Sequence, residues 1–462
     1  MEPQLPRREF LKTAAVGMAA VMLGEQAKAA SNVLPPSTPK GPATAVGLMT
    51  PKLDKVRFGF IGLGARGRPT LEETLRIEGC EVRAVCDSDD TALAWGAKYP
   101  GIVGKASPAS YGGSPDAFLK MLEREDVDAV MICTPWREHV RMAVAAMRAG
   151  KHAFVEVPAA VTLEECWQLV ETAEQTQRHC MMLENCCYGR DELMVLNLCR
   201  QGILGELLHA EGAYLHDLRE QMKDIDHGTG SWRTHEHEVR NGNLYPTHGL
   251  GPVAQCLGIN RGDRFERIVS LSSPSRGMAA YADANFPPDH PRRKATYRCG
   301  DMNTSIIQTA RGRTIVVQHD TMNPRPYSRT NVVQGTKGIF SGYPNRIYVE
   351  GRSAQEHRWD TDLEKWYAEF DHPLWKKIAA PALRSDRNGG MGHGGMDYVM
   401  KWRLVQCLRE GLPLDQDVYD AAAWSAIGPL SEQSVAQGGA PVEIPDFTRG
   451  AWKTTAPLGI VS

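Results

Sequence analysis

The sequence predicts an α/β fold in two parts. A doubly wound parallel sheet comes first, and an α+β half on a large open, mostly antiparallel sheet follows. Three observations predict this. The strand Val56–Ile61, with its apolar run from Phe58, feeds straight into Gly62-x-Gly64-x-x-Gly67, and a second strand-like run, Glu81 to Cys86, ends in Asp87. Strand-like and helix-like segments alternate from about residue 55 to 180, the pattern of parallel strands joined by crossover helices. After about residue 190 the pattern changes to strand-like runs separated by glycine turns, without intervening helices.

Each element has its own signal. Val56–Ile61 is the first strand, and the helix after the glycines covers Pro69 to Glu78. Val82–Cys86 is the second strand, followed by a helix over Thr91–Tyr99. Ser114–Arg124 reads as a helix opened by Ser-Pro-Asp. Ala129–Cys133 is short and wholly apolar, as in a strand buried on both faces. His139–Ala149 is a helix stopped by Gly150, and His152–Glu156 a further strand. Thr162 to Thr176 is a helix with Thr162 and Glu165 as a capping box, and His179–Leu183 closes this half. The second half offers strands at Leu207–Tyr214, Arg267–Ser272, Asn303–Thr309, Thr314–His319, Asn331–Gly335 and Arg346–Val349. Two helices, near Met396–Glu410 and Asp417–Glu432, end the chain. The domains are thus 53–185 for the nucleotide and 186–462 for the substrate.

The glycine motif has the context of a dinucleotide site, the Rossmann fingerprint. Gly62 permits the tight turn, Gly64 lets the backbone approach a pyrophosphate, and Gly67 lets the helix pack closely. The helix start then offers free N–H groups to the phosphates. Asp87 is placed to bind a ribose diol and would repel a 2′-phosphate, so NAD is favoured over NADP.

In such sheets the ligand sits at the carboxyl ends of the strands. Three successive strand ends carry polar or aromatic groups: Thr134-Pro-Trp-Arg-Glu-His139, Glu156-Val-Pro158 and Glu184-Asn-Cys-Cys-Tyr-Gly-Arg190. Trp136 and His139 are placed to flank the nicotinamide ribose, and Glu156 to hydrogen-bond the ribose or carboxamide. In the second half, Trp232-Arg233 and Asn243-Leu-Tyr-Pro-Thr-His-Gly-Leu-Gly251 are the densest candidates. Tyr245 and His248 are close enough to face one pocket, and both side chains can move protons. The cluster His235-Glu-His-Glu238 would suit a metal only on a strand, and no metal is expected. The loop Gly389 to Met396 either closes over a ligand or caps the next helix.

The ends and the composition narrow the class. Arg7-Arg-Glu-Phe-Leu-Lys12, a short apolar segment from Ala14 to Leu23 and Ala27-Lys-Ala29 read as a twin-arginine (Tat) signal peptide over 1–30. This predicts a periplasmic or secreted protein, handed folded to the Tat translocase, which suits an enzyme that takes up its nucleotide in the cytoplasm. Residues 31–52 read as a flexible linker. Hydrophobic content of 42%, charged content of 23% and a net charge of −2 are ordinary for a globular protein and give no electrostatic case for nucleic acid. No segment is long and apolar enough to span a bilayer. Oligomeric state stays open, a homo-oligomer included. The eleven cysteines include no C-x-x-C pair; Cys80, Cys86, Cys133 and Cys166 sit in apolar patterns, as small buried hydrophobes.

The first half resembles the Gfo/Idh/MocA oxidoreductases. That family carries Glu-Lys-Pro after this strand, its lysine catalytic; here the triplet is Glu156-Val157-Pro158. A closer resemblance covers nearly the whole chain. Val161-Thr-Leu-Glu-Glu-Cys-Trp167, Leu183-Glu-Asn-Cys-Cys-Tyr188, Leu244-Tyr-Pro-Thr-His-Gly249, His393-Gly-Gly-Met-Asp-Tyr398 and Pro441-Val-Glu-Ile-Pro-Asp-Phe447 look like glycoside hydrolase family 109, NAD-dependent α-N-acetylgalactosaminidases with Tat-type leaders. The resemblance implies hydrolysis by a redox route: oxidation at C3 of the sugar by tightly held NAD, loss of the C2 proton and the aglycone, addition of water, and reduction that regenerates NAD each turnover. Such enzymes stand outside the two-carboxylate scheme. It further implies cofactor positions at Gly62, Gly64, Ala65, Arg66, Asp87, Trp136, Arg137, Glu138, His139, Glu156, Val157 and Asn185. Substrate positions fall at Tyr214, Arg233, Tyr245, Pro246, Thr247, His248 and Tyr327. Tyr188, Tyr245 and His248 are the catalytic candidates, and which group takes the C2 proton stays open. The alternatives are an exported NAD(P)-dependent sugar oxidoreductase, against which the missing lysine argues, and a sugar-binding protein with a vestigial nucleotide site.

Overall fold

A computed structural model describes residues 44–382 and 392–460, with side chains from 379 to 382 excepted. The twin-arginine segment and the first three residues of the glycine loop at 389–396 lie outside them. Among the described residues the strands form two sheets.

The first sheet contains β1 (Val56–Ile61), β2 (Cys80–Cys86), β3 (Ala109–Tyr111), β4 (Ala129–Ile132), β5 (His152–Val155) and β6 (Cys180–Met182), in the order 3-2-1-4-5-6. All five pairings are parallel. This is the doubly wound order, and its switch point lies between β1 and β4. β4 and β5 are buried along their whole length, as helix-covered parallel strands must be. Phe58, Phe60 and Phe154 meet edge to face in the core, with ring centroids 6.3 and 6.5 Å apart. The helix Leu163–Thr176 begins with the expected box: Glu165 N–H donates to Thr162 Oγ1 at 3.1 Å, and Thr162 N–H donates to Glu165 Oε2 at 3.1 Å.

The second sheet runs β13-β12-β11-β7-β10-β9-β8-β14, with β7 (Leu207–Leu215), β8 (Phe265–Ser272), β9 (Asn303–Thr309), β10 (Thr314–Asp320), β11 (Val332–Gly335), β12 (Gly338–Ser341), β13 (Arg346–Val349) and β14 (Val442–Glu443). All neighbours are antiparallel except β7 and β10, which pair in parallel.

The expected run of strands without helices is corrected. Helices at Arg190–Arg200, Gly228–Val239, Thr247–Cys256 and Gly277–Asn285 interrupt it, and β12 follows the glycine turn after β11. Thr247–Cys256 lies directly on β7 because two glycines meet there. A Cβ on Gly249 would stand 2.0 Å from Ala213 N, and one on Gly212 2.3 Å from Gly249 O. The His235 cluster is helical, not extended; His237 is buried and stacks on His319, with ring centroids 5.7 Å apart.

The chain end folds back on the first sheet. Val418–Ser425 packs on the helix Leu163–Thr176 and on β6, and Met396–Glu410 packs on the glycine-motif helix Gly67–Thr74. A linker reaching residue 52 is also corrected in its last part. Ala45 is buried and its N–H donates to the Tyr419 hydroxyl at 3.1 Å, so this stretch is docked. All eleven thiols are free. No helix among the described residues is long and apolar enough to cross a membrane.

Candidate active site at the strand ends

The glycine turn has the geometry its spacing predicts. Gly62 has φ +89°, and a Cβ there would stand 2.8 Å from the Cys133 carbonyl carbon on the neighbouring strand end. A Cβ on Gly67 would fall 1.9 Å from Gly62 O, so only glycine lets the helix start this close to the strand. A Cβ on Gly64 would meet nothing within 4 Å, and Gly64 and Ala65 are exposed. The turn is therefore open on the side where a pyrophosphate would approach the backbone. Asp87, at the end of β2, accepts from Leu63 N–H at 2.6 Å and Asp89 N–H at 2.9 Å. This ties the second strand end to the turn. These residues fit an NAD molecule.

Arg66 leaves the same turn and joins the next two strand ends. Its Nε donates to Glu156 Oε1 at 2.7 Å and its Nη1 to Asp397 Oδ2 at 2.7 Å. Asn185 Nδ2 donates to Asp397 Oδ1 at 2.5 Å. Burial alone would raise the Asp397 carboxyl, but Arg66 outweighs it and holds the group well below the usual carboxylate range.

Trp136 follows β4 and is buried against the second lobe. It stacks on Tyr245 with centroids 5.6 Å apart and meets Trp232 edge-on at 4.9 Å. The Arg233 guanidinium lies over all three rings, at 5.1 to 5.4 Å. Tyr214, at the end of β7, lies 4.6 Å from Tyr245, 5.4 Å from His248 and 6.1 Å from Tyr327 by ring centroids. The substrate candidates Tyr214, Arg233, Tyr245, His248 and Tyr327 thus gather in one cluster, against Trp136. Pro246 and Thr247 are buried at the helix start and set the position of His248.

His248 is held by Glu184, a residue the sequence reading placed at a polar strand end but gave no role. Its Nδ1 lies 2.7 Å from Glu184 Oε1, and Glu184 is wholly buried just after β6. Burial by itself would raise the Glu184 carboxyl, but His248 draws it below its ordinary value. The carboxylate therefore accepts the Nδ1 proton and leaves Nε2 as the reactive nitrogen. Tyr245 Oη lies 3.4 Å from Nε2. Burial, then the Tyr214 phenol, pushes Tyr245 well above its ordinary range, so this hydroxyl stays protonated and donates. Cys186 joins Glu184 and His248 within 4.8 Å, but burial keeps its thiol protonated, so the trio suits proton traffic better than a metal.

Several candidates lie elsewhere. Tyr188 is buried with its hydroxyl 3.3 Å from Asp415 Oδ2, and burial, then Asp415, raises it far above its usual range. It faces the core rather than His248, so an acid–base role for it is corrected to a packing one. His139 is fully buried with Nδ1 and Nε2 each 2.8 Å from a carbonyl oxygen, of Pro158 and Thr134, so it staples two strand-end turns instead of flanking a ribose. Exposed Arg137 pairs with Glu236 at 2.6 Å and half-buried Glu138 with Arg141 at 2.7 Å. Val157 is buried and apolar, so no side chain can carry protons where the related oxidoreductases have lysine.

Comparison with known proteins shows the family and the fold. A family model described as "Oxidoreductase family, NAD-binding Rossmann fold" matches residues 56–184, and one described as "Glycosyl hydrolase 109, C-terminal domain" matches 188–454. A "Glycosyl hydrolase family 109 protein" of Shewanella pealeana is 53% identical over 459 residues, 99% of each chain. A "Glycosyl hydrolase family 109 protein 2" of Shewanella sp. (strain ANA-3) is 56% identical over 457 residues, 98% of this chain and 99% of that one. Among solved structures, levoglucosan dehydrogenase in complex with NADH aligns with a TM-score of 0.65 at 19% identity, covering 85% of this chain and all of that one. The WlbA dehydrogenase from Bordetella pertussis, in complex with NADH and UDP-GlcNAcA, aligns at 0.61 and 15%, covering 86% and 100%. These two likenesses show a shared fold. The glycine turn, the two matched halves and the full-length relatives together place the chain in glycosyl hydrolase family 109, an enzyme family built on the Gfo/Idh/MocA fold.

Proposed function

We propose that this protein is an exported glycosidase that releases terminal α-linked N-acetylgalactosamine by oxidation, elimination, addition of water and reduction. The observation that carries the reading is the Glu184–His248 pair, a proton carrier set beside the cofactor-side strand ends where the related oxidoreductases use a lysine. NAD held in the glycine turn would supply reversible oxidation at C3 of the sugar. The residues of the chain then have protons to move. His248 Nε2 takes the proton at C2, which the neighbouring ketone acidifies, and later returns it to the same carbon. Glu184 holds the ring and stabilises the imidazolium. The Tyr245 hydroxyl donates to a sugar oxygen beside Nε2, and Trp136, Tyr214 and Tyr327 offer faces for the pyranose. Tight retention of NAD through the whole cycle and regeneration each turnover belong to this proposal. So does export folded through the twin-arginine route, which rests on Arg7-Arg-Glu-Phe-Leu-Lys12.

The test is p-nitrophenol release from p-nitrophenyl α-N-acetylgalactosaminide by the purified protein, with no nucleotide or metal added and absorbance followed at both the phenolate and NADH bands. Release without accumulating NADH is expected. No release, with free sugars steadily reducing the nucleotide, would make the protein a sugar oxidoreductase instead.

A further inference from the structure

The aromatic side chains of the site form a row that runs on past the substrate cluster. From the cofactor side outward, Trp136 meets Tyr245 at 5.6 Å and Tyr245 meets Tyr214 at 4.6 Å, by ring centroids. Tyr214 then meets Tyr327 at 6.1 Å, and Tyr327 meets Tyr343 at 6.0 Å. Exposure rises along the row: Tyr245 and Tyr214 are 6% and 7% exposed, Tyr327 and Tyr343 36% and 38%. The row therefore leads from the floor of the cleft to its mouth. Among the described residues the exposed large aromatic side chains are these two tyrosines and Trp359. Two that adjoin each other beside a site mark a contact surface.

The local chain is built to hold Tyr343 there. Ser341 pairs with Arg346 across β12 and β13, so Gly342-Tyr-Pro-Asn345 is the turn between these strands. Asn345 Nδ2 donates to Asp191 Oδ2 at 2.6 Å, which ties the turn to the helix Arg190–Arg200. Gly342 N–H donates to Asn331 O at 3.1 Å, and a Cβ on Gly342 would stand 2.9 Å from Thr330 O. Thr330, Asn331 and Tyr343 all have left-handed backbone, at φ 62°, 52° and 53°. For a branched threonine this is strained, and such strain gathers at ligand clamps. Arg329, buried and paired with Glu192, serves both rings. Its guanidinium lies 5.8 Å from the Tyr327 ring and 5.5 Å from the Tyr343 ring, and its Nη1 donates to Tyr327 Oη at 3.3 Å. One buried cation against both rings fixes their tilt and leaves the exposed part of each for a ligand.

We propose that Tyr327 and Tyr343 form a second sugar subsite, which receives the pyranose attached to the departing oxygen of N-acetylgalactosamine. This rests on the proposed glycosidase reading. The row holds more rings than one sugar can cover. Trp136, Tyr245 and Tyr214 surround the sugar that reacts beside His248, so the outer pair meets what is joined to it. A pyranose turns C–H groups of partial positive charge toward its neighbour, and the negative face of an aromatic ring attracts them. With the two rings 69° apart, one face and one edge can grip a single sugar ring. A peptide aglycone would be gripped through its N–H and C=O groups, whereas this surface offers ring faces.

The test compares kcat/KM on the free disaccharide N-acetylgalactosaminyl-α-1,3-galactose with kcat/KM on methyl α-N-acetylgalactosaminide, whose aglycone is too small to reach Tyr343. Glycine suits the left-handed backbone at 343, so Tyr343→Gly removes the ring without adding strain. The disaccharide-to-methyl ratio should fall by about 10-fold or more in Tyr343→Gly, and stay within about twofold of wild type in Tyr343→Phe, which keeps the ring. An unchanged ratio in Tyr343→Gly would overturn the subsite, and so would an equal fall in Tyr343→Phe. A fall seen only with a serine-linked glycopeptide would give the surface to a peptide and overturn it too. If the wild-type protein cleaves neither compound, the glycosidase reading fails. Calorimetry with the same disaccharide then reads the subsite alone: about 10-fold weaker binding by Tyr343→Gly is expected, and equal or absent binding overturns it.

Discussion

Glu184 Oε1 and His248 Nδ1 lie 2.7 Å apart, joining the last strand end of the nucleotide-binding sheet to a helix of the second lobe. Replacing His248 by alanine removes the proton carrier and leaves the glycine turn untouched. We expect kcat to fall by about 100- to 10,000-fold while NAD co-purifies as before. Near-normal turnover would remove His248 from the chemistry. Glu184→Gln should cost less, because the amide oxygen still accepts the Nδ1 proton. Its pH–rate profile should move toward lower pH, since the imidazolium loses its carboxylate.

Acid stability follows from two buried carboxylates. Glu184 and Asp397 both sit below the ordinary carboxylate range: burial opposes this in each, His248 overcomes it at Glu184, and Arg66 at Asp397. A folded-state pKa below the unfolded one gives stability that is present above the unfolded value, about 4, and lost as pH falls through the folded one. Melting temperature should therefore hold from about pH 7 to 5 and drop below about pH 4. Glu184→Gln should flatten that drop, and an unchanged slope in the variant would count against the pair.

The glycine turn separates binding from folding. At Gly64 a Cβ meets nothing within 4 Å, so Gly64→Val should fold normally and fail to retain NAD. At Gly67 the same atom would meet Gly62 O at 1.9 Å, so Gly67→Ala should destabilise the fold by about 1–3 kcal/mol. Thermal melting and nucleotide content of the two variants check both expectations. Retention of NAD by Gly64→Val would show that the pyrophosphate does not pass over this turn.

Gly249 positions His248 from behind. Its contact with β7 has no room for a methyl group, the nearest atom being Ala213 N at 2.0 Å from the added Cβ. Gly249→Ala should push the helix off the strand, lowering both melting temperature and kcat while the nucleotide stays bound. Full activity in this variant would mean that the helix tolerates a shift and that His248 needs no such precise seat.

Much of this was legible in the chain. Val56–Ile61, Asn303–Thr309, Arg346–Val349 and Met396–Glu410 have the bounds that pattern alone predicts, because strand-like or helix-like periodicity and stop signals such as Gly62 and Gly411 define them. The helix Thr247–Cys256 escaped for a physical reason. Thr247-His-Gly-Leu-Gly-Pro252 has poor helix propensity, and tertiary packing on β7 supplies what propensity does not. The end of the helical tail, read as one segment from Asp417 to Glu432, splits at Ala426 into two helices. Tyr245, His248, Arg233 and Trp136 could be singled out as residue types in suggestive settings. Glu184 could not, since its importance comes from a partner 64 positions away, and neither could Tyr188's turn toward Asp415. An acid directly after a strand at the ligand-bearing edge was the one signal that pointed to Glu184.

The most direct measurement runs the reaction on p-nitrophenyl α-N-acetylgalactosaminide in heavy water and reads the product sugar by NMR. Deuterium at C2 is expected, placed there when His248 returns a solvent-exchanged proton. Release of sugar with hydrogen fully retained at C2 would contradict the elimination route, and with it the role given to the Glu184–His248 pair.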